Sequence, residues 1–114
     1  MENRSTAAYA ASLVIASNPA KLHRVTVYSN AGAAQFIQLH DAASLPADTA
    51  VPVVVVRVGI ASSVTIDFGE SGRVFENGIV VCNSSSGATK TIGAADCWFD
   101  AQVSPVDHYY GVQR

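Results

Sequence analysis

The residues able to do chemistry are few, and their spacing does not gather them. His23, His40 and His108 are the only imidazoles, and the nine carboxylates are dispersed through probable turns and outward strand positions. No His-x-His, Glu-x-x-His or Cys-x-x-Cys spacing occurs, so the sequence sets no pair of metal ligands on one strand face or helix turn. No pair of carboxylates is placed for acid–base work. Cys82 and Cys97 flank a loop over residues 83–96. They would meet if that loop closed a hairpin, but a chain made in a reducing cytoplasm keeps such residues as small, buried thiols, and that is the expectation.

Two short motifs come closest to a reaction site. Gly69-Glu70-Ser71-Gly72 approximates a Gly-x-Ser-x-Gly nucleophile elbow, but it lies in a probable turn between strands, with no base or acid placed to activate Ser71. Gly87-Ala88-Thr89-Lys90-Thr91 looks like the tail of a phosphate-binding loop. It lacks the glycine directly before the lysine, so the backbone cradle is missing and Lys90 reads as a solvated loop lysine. The expectation is therefore a non-enzymatic protein with no catalytic residues, no cofactor and no metal site.

The elements that would carry these residues are strands. Runs rich in Val, Ile, Thr and aromatics, parted by Gly, Pro, Asn and Ser, fall at 12–17, 22–29, 34–41, 51–58, 63–68, 73–75, 78–83 and 96–103. No segment has a sustained 3.6-residue apolar stripe, and Pro46 and Pro52 limit any helical turn between residues 42 and 50. The pattern predicts an all-β fold, a single sandwich of about eight antiparallel strands over residues 12–103. Residues 1–11 are expected as a flexible N-terminal arm and residues 104–114 as an irregular C-terminal tail.

Composition narrows the partners. The chain has 114 residues, enough for one domain, and is 49% hydrophobic but only 14% charged. A typical domain is about 25% charged, so apolar or weakly polar surface is left over, as on a subunit of an assembly. The net charge is −2 and the seven Lys and Arg residues never cluster, which argues against nucleic acid as a partner. The apolar run 53–56 falls far short of the roughly 20 residues a membrane helix needs, and no apolar leader follows Met1.

The stretch 22–41 permits a sharper expectation. If residues 22–29 and 34–41 form a hairpin with both apolar sets in the core, Val27 pairs with Ile37 and Val25 with Leu39. That register needs a loop of odd length, with Gly32 or Asn30 at positive φ. It also sets Tyr28 opposite Phe36 on the outer face, and His23 opposite Asp41. Residues 51–58, almost all valine, read as a strand buried on both faces or covered by a neighbouring subunit. Val64, Ile66 and Phe68 are expected inward, as are Cys97, Phe99, Ala101 and Val103, which leaves Trp98 outward. Tyr28, Phe36 and Trp98, with Tyr109 and Tyr110 in the tail, are the candidate interface residues, since aromatics are enriched in interface cores.

The segments Arg24-Val25-Thr26-Val27-Tyr28-Ser29-Asn30-Ala31-Gly32-Ala33-Ala34 and Phe36-Ile37-Gln38-Leu39-His40-Asp41-Ala42 resemble a pattern of small tailed-bacteriophage virion proteins. The later order is similar too: a Val-rich strand, the 64–68 strand, Gly72-Arg73-Val74-Phe75-Glu76-Asn77-Gly78-Ile79, then a Ser/Thr/Ala-rich loop before a final strand. The resemblance covers roughly residues 22–103. It implies a compact, jelly-roll-like sandwich serving as a capsid cement or decoration protein, or as a tail or baseplate component. It further implies a location in the virion after synthesis in the host cytoplasm. The partners would be the major capsid protein and other virion proteins, met as a homo-oligomer or symmetric array. A rival of another class is a carbohydrate-binding module that stacks sugars on Trp98 and Tyr28.

Overall fold

The structure is a computed structural model that describes residues 2–106; the expectations for the tail that rest on Tyr109 and Tyr110, and that for His108, lie outside them. The described chain forms nine strands: β1 (Glu2–Ser5), β2 (Ser12–Ala16), β3 (Ala20–Ser29), β4 (Gln35–His40), β5 (Val54–Val58), β6 (Ser62–Asp67), β7 (Arg73–Phe75), β8 (Ile79–Ser84) and β9 (Cys97–Pro105). One sheet runs β1–β9–β3–β6, with β7 also against β3; the other runs β2–β8–β4–β5. All pairings are antiparallel.

This strand order is that of a jelly roll. With the three-residue β7 set aside, the first strand pairs with the last, the second with the last but one, the third with the sixth and the fourth with the fifth. The chain is thus laid down as one long nested hairpin and rolled into two facing sheets. β7 fills the part of the β3 edge that β6 leaves free: β7 pairs with Ala20–Leu22 and β6 with Arg24–Ser29.

Strict alternation drives the two sheets together. In β9, Cys97, Phe99, Ala101 and Val103 are buried while Trp98 and Asp100 face out. In β6, Ile66 is buried and Val64 and Phe68 pack against the core, leaving Thr65 and Asp67 outside. Phe75, Phe99, Leu22, Ile15, Ile37 and Leu39 fill the space between the sheets. Cys82 and Cys97 are free, buried thiols in opposite sheets, and burial raises both, Cys82 to about 11.

Three expectations are corrected. First, β3 and β4 do not form a hairpin but lie in opposite sheets. Val25, Val27, Ile37 and Leu39 are fully buried as expected, yet they face each other across the core. A hairpin with both apolar sets inward and a crossover between sheets bury the same residues, so alternation alone does not separate them. The loop between them is held by distant partners, with Asn30 N–H on Asp96 O and Ala61 N–H on Ala31 O. Neither Gly32 nor Asn30 adopts positive φ.

Second, residues 2–5 are laid down as β1 on the edge of β9, where a flexible arm was expected. Arg4 fastens that edge, donating to Ile15 O and to Glu2 Oε1 at 2.7 Å. Four polar residues carry no strand signal of their own, and β9 supplies the template. Third, β5 is an edge strand whose residues alternate, with Val55 exposed, and Val51 and Val53 just before it are exposed too, Val51 at 73%. Within this chain the valine run is therefore covered on one face only.

Candidate functional site

The two sheets present unlike outer faces. That of β1–β9–β3–β6 is bare. Across it Tyr28 lies opposite Trp98, Thr26 opposite Asp100 and Thr65, and Arg24 opposite Gln102 and Asp67. Tyr28 and Trp98 are both exposed, at 38% and 42%. Tyr9, from the β1–β2 connection, stands edge-on to Trp98, with ring centroids 6.0 Å apart at 89°. Four of the remaining side chains are tied in pairs: Thr26 and Thr65 hydroxyls at 3.1 Å, and Arg24 donating to Gln102 Oε1 at 3.0 Å, while Asp67 accepts from the Gly69 N–H. The outcome is a polar, partly cross-linked face with three aromatic rings at one end.

Alternation puts these residues there. Tyr28 and Trp98 are flanked in sequence by buried residues, Val27 and Ser29 in β3 and Cys97 and Phe99 in β9, so neither ring can turn inward without reversing its strand. Tyr9 is fixed by the Ala10–Cys97 bridge, in which each N–H donates to the other residue's carbonyl. Sequence reasoning passed over Tyr9 because it sits in the polar stretch taken as a loose arm.

Phe36 does not join this group. It lies on the opposite sheet, beside Arg57 and Ser84, and is partly covered by the loop at Gly87, where an added methyl would come within 3.4 Å of its ring. The Tyr28–Phe36 pair is replaced by Tyr28–Trp98, because β3 and β4 part company at residues 30–34.

Comparison with known proteins adds the following. No protein-family model matches the chain, and no curated protein matches it. Among solved structures it is similar to the coat protein of Tobacco streak virus, with 15% identity, covering 98% of this chain and 93% of that one, at a TM-score of 0.43.

The outer face of the second sheet is roofed. Residues 41–53 come over it from one end and residues 85–96 from the other. They meet with Thr49 N–H on Lys90 O at 2.8 Å and Lys90 N–H on Ala50 O at 2.7 Å. Lys90, expected in solvent, is 3% exposed, and its Nζ donates to Asp48 Oδ1 at 2.6 Å. Beneath lies Gln38, fully buried, whose Nε2 shares its two hydrogens among Ser86 O, Gly87 O and Thr89 O, at 2.9, 3.0 and 3.2 Å. Since that amide end is the donor, Gln38 Oε1 accepts, and His40 Nε2 at 3.0 Å carries the hydrogen. Cys82 Sγ lies 3.9 Å from the same oxygen.

His23 is a joint between strands. It sits where the β3–β9 register shifts and where the partner of β3 changes from β7 to β6. Its ring contacts Gly69 O at 3.2 Å and Ser104 Oγ at 2.7 Å, not Asp41. Asp41 instead accepts from the backbone N–H groups of Glu76 and Asn77. Among the described residues, no three His, Cys, Asp or Glu side chains lie together as metal ligands would.

Proposed function

We propose that this protein is a structural component of a bacteriophage virion, and specifically a capsid cement or decoration protein that docks by the outer face of its β1–β9–β3–β6 sheet. The observation that carries this reading is the exposed Tyr9–Trp98–Tyr28 cluster on a bare sheet face. Aromatic rings bury large areas at small entropic cost, which suits them to the centre of a contact. Beside them Thr26, Thr65, Arg24 and Gln102 are already hydrogen-bonded within the chain, so covering these four adds little desolvation cost.

The mechanism is attachment in many copies. Each copy bridges neighbouring subunits of the major capsid protein weakly, and copies joined as an oligomer or array gain by effective concentration. Electron cryomicroscopy of purified particles tests this: density for the chain on the head shell, with Trp98 at the contact, is expected, and its absence from the shell overturns the cement reading. Trp98→Ala should weaken binding of the purified protein to empty shells at least tenfold while leaving its unfolding transition near that of the parent, since the ring is outside the core.

The side-by-side placement of Tyr28 and Trp98 also favours a second reading, a carbohydrate-binding module that stacks a sugar on these rings. Binding to a broad glycan array, lost in Trp98→Ala, would support it and displace the first.

A further inference from the structure

The roof over the second sheet is held by an unusual set of groups. Two loops from opposite ends of the sandwich are joined by two backbone hydrogen bonds and one ion pair, all three made by Lys90, and by the Ile92 N–H on Asp48 Oδ1. Below them a chain of buried polar side chains runs from Cys82 and His40 to Gln38, and from Gln38 to three carbonyls of residues 86–89. The Lys90 charge acts on both His40 and Cys82. A lysine and a histidine have thus been enclosed together, with a single carboxylate, Asp48, facing outward to balance the lysine.

We propose that residues 41–53 and 85–96 form a charge-latched strap, closed at neutral pH and released when His40 takes up a proton beside Lys90. His40 is hydrogen-bonded to Gln38 on its own strand; Cys82 on β8 reaches the same Gln38 oxygen, and the cation whose charge acts on His40 is Lys90 of residues 85–96, itself paired with Asp48 of residues 41–53. Asp41, next in the chain, is turned away to the N–H groups of Glu76 and Asn77. No carboxylate pairs with His40: its Nε2–H already donates to Gln38 Oε1, so a second proton, on Nδ1, brings a positive charge into the field of Lys90 with no anion to offset it.

Burial, and then Lys90, hold the His40 imidazole below its ordinary value. The closed strap therefore binds fewer protons than the open one, and acid favours opening. The shift begins near the ordinary histidine value, about pH 6.5, and grows by at most about tenfold per pH unit until His40 is charged in the closed form too. Lys90 and the Ile92 N–H hold Asp48 below the usual carboxylate range, so the ion pair outlasts this window and the release belongs to His40. Opening would bare Phe36, Gln38, His40 and Val80 beside the exposed Val55 of the β5 edge. This strap is independent of the virion reading.

Hydrogen exchange of the full chain followed by mass spectrometry, from about pH 7.5 to about pH 5 and corrected for intrinsic exchange, reads the latch directly. Segments 47–51 and 85–92 should lose protection at least fivefold while β3 and β9 keep theirs, and His40→Gln should abolish that loss. The proposal is overturned if the strap segments show no pH dependence, if His40→Gln keeps it, or if β3 and β9 lose protection in step. Should His40→Gln fail to fold, nuclear magnetic resonance of the parent decides: the His40 ring and the amides of 85–92 should titrate together, and an imidazole that titrates with those amides unmoved refutes the latch.

Discussion

At the residue scale the most informative side chains are polar ones that the core has swallowed. Gln38 is completely buried, with its two amide hydrogens shared among three carbonyls of one loop and its oxygen accepting from His40. Truncating it strands those carbonyls and leaves a cavity. Gln38→Ala should therefore cost about 2–4 kcal/mol in urea unfolding, well above a typical surface change. Nothing in Phe36-Ile37-Gln38-Leu39-His40 announces this. A glutamine between apolar residues in a half-buried strand reads as outward and wet, and the loop that covers it starts more than 40 residues later in the chain. Lys90 was misread for the same reason: its Ser-, Gly- and Thr-rich surroundings describe a solvated loop, and only the approach of residues 41–53 encloses it.

At the scale of elements, the turns separate glycines that matter from one that does not. Gly78 has φ +156°, and a methyl there would lie 2.5 Å from Ala42 O and 2.7 Å from Ala16 O, so three segments converge on a position with no room for a side chain. Gly32, which the hairpin expectation made the key turn residue, has nothing within 4 Å of an added methyl and an ordinary φ. Gly78→Ala should destabilise by about 3 kcal/mol or more, and Gly32→Ala should stay within about 0.5 kcal/mol, both read from thermal or urea unfolding. Strand existence and facing were legible for most of the sandwich, β1 and the facing of β5 excepted: the interior residues of β3, β6 and β9 are those the alternation named. Strand partners were not, because β4–β5 alone, among the described strands, pairs neighbours in sequence.

At the scale of the whole molecule, one sheet is roofed and the other open, and this asymmetry gives the protein a direction. The open face holds Lys21 and Arg24 with Asp67 and Asp100, two charges of each sign, so it offers no concentrated field of either sign. Binding to shells through that face should consequently change less than about threefold between about 0.1 and about 0.5 M salt, measured by co-sedimentation. A steep fall with salt would place the contact elsewhere. The same face gathers Tyr9, Tyr28 and Trp98, of which the sequence nominated two; the third was hidden in a segment that becomes ordered only because β9 lies beside it.

The sequence by itself determined which residues point inward. Period-two alternation is a local property, and burying an apolar set is favourable whichever strand comes to lie alongside. It therefore yielded the all-β class, the core of Val25, Val27, Ile37, Leu39 and Phe99, and the outward Tyr28 and Trp98. Only the tertiary structure decided which strands pair, that β3 and β4 belong to different sheets, and which outward residues stay exposed. Those outcomes depend on backbone partners and covering loops dozens of residues away, for which a strand of given alternation carries no address.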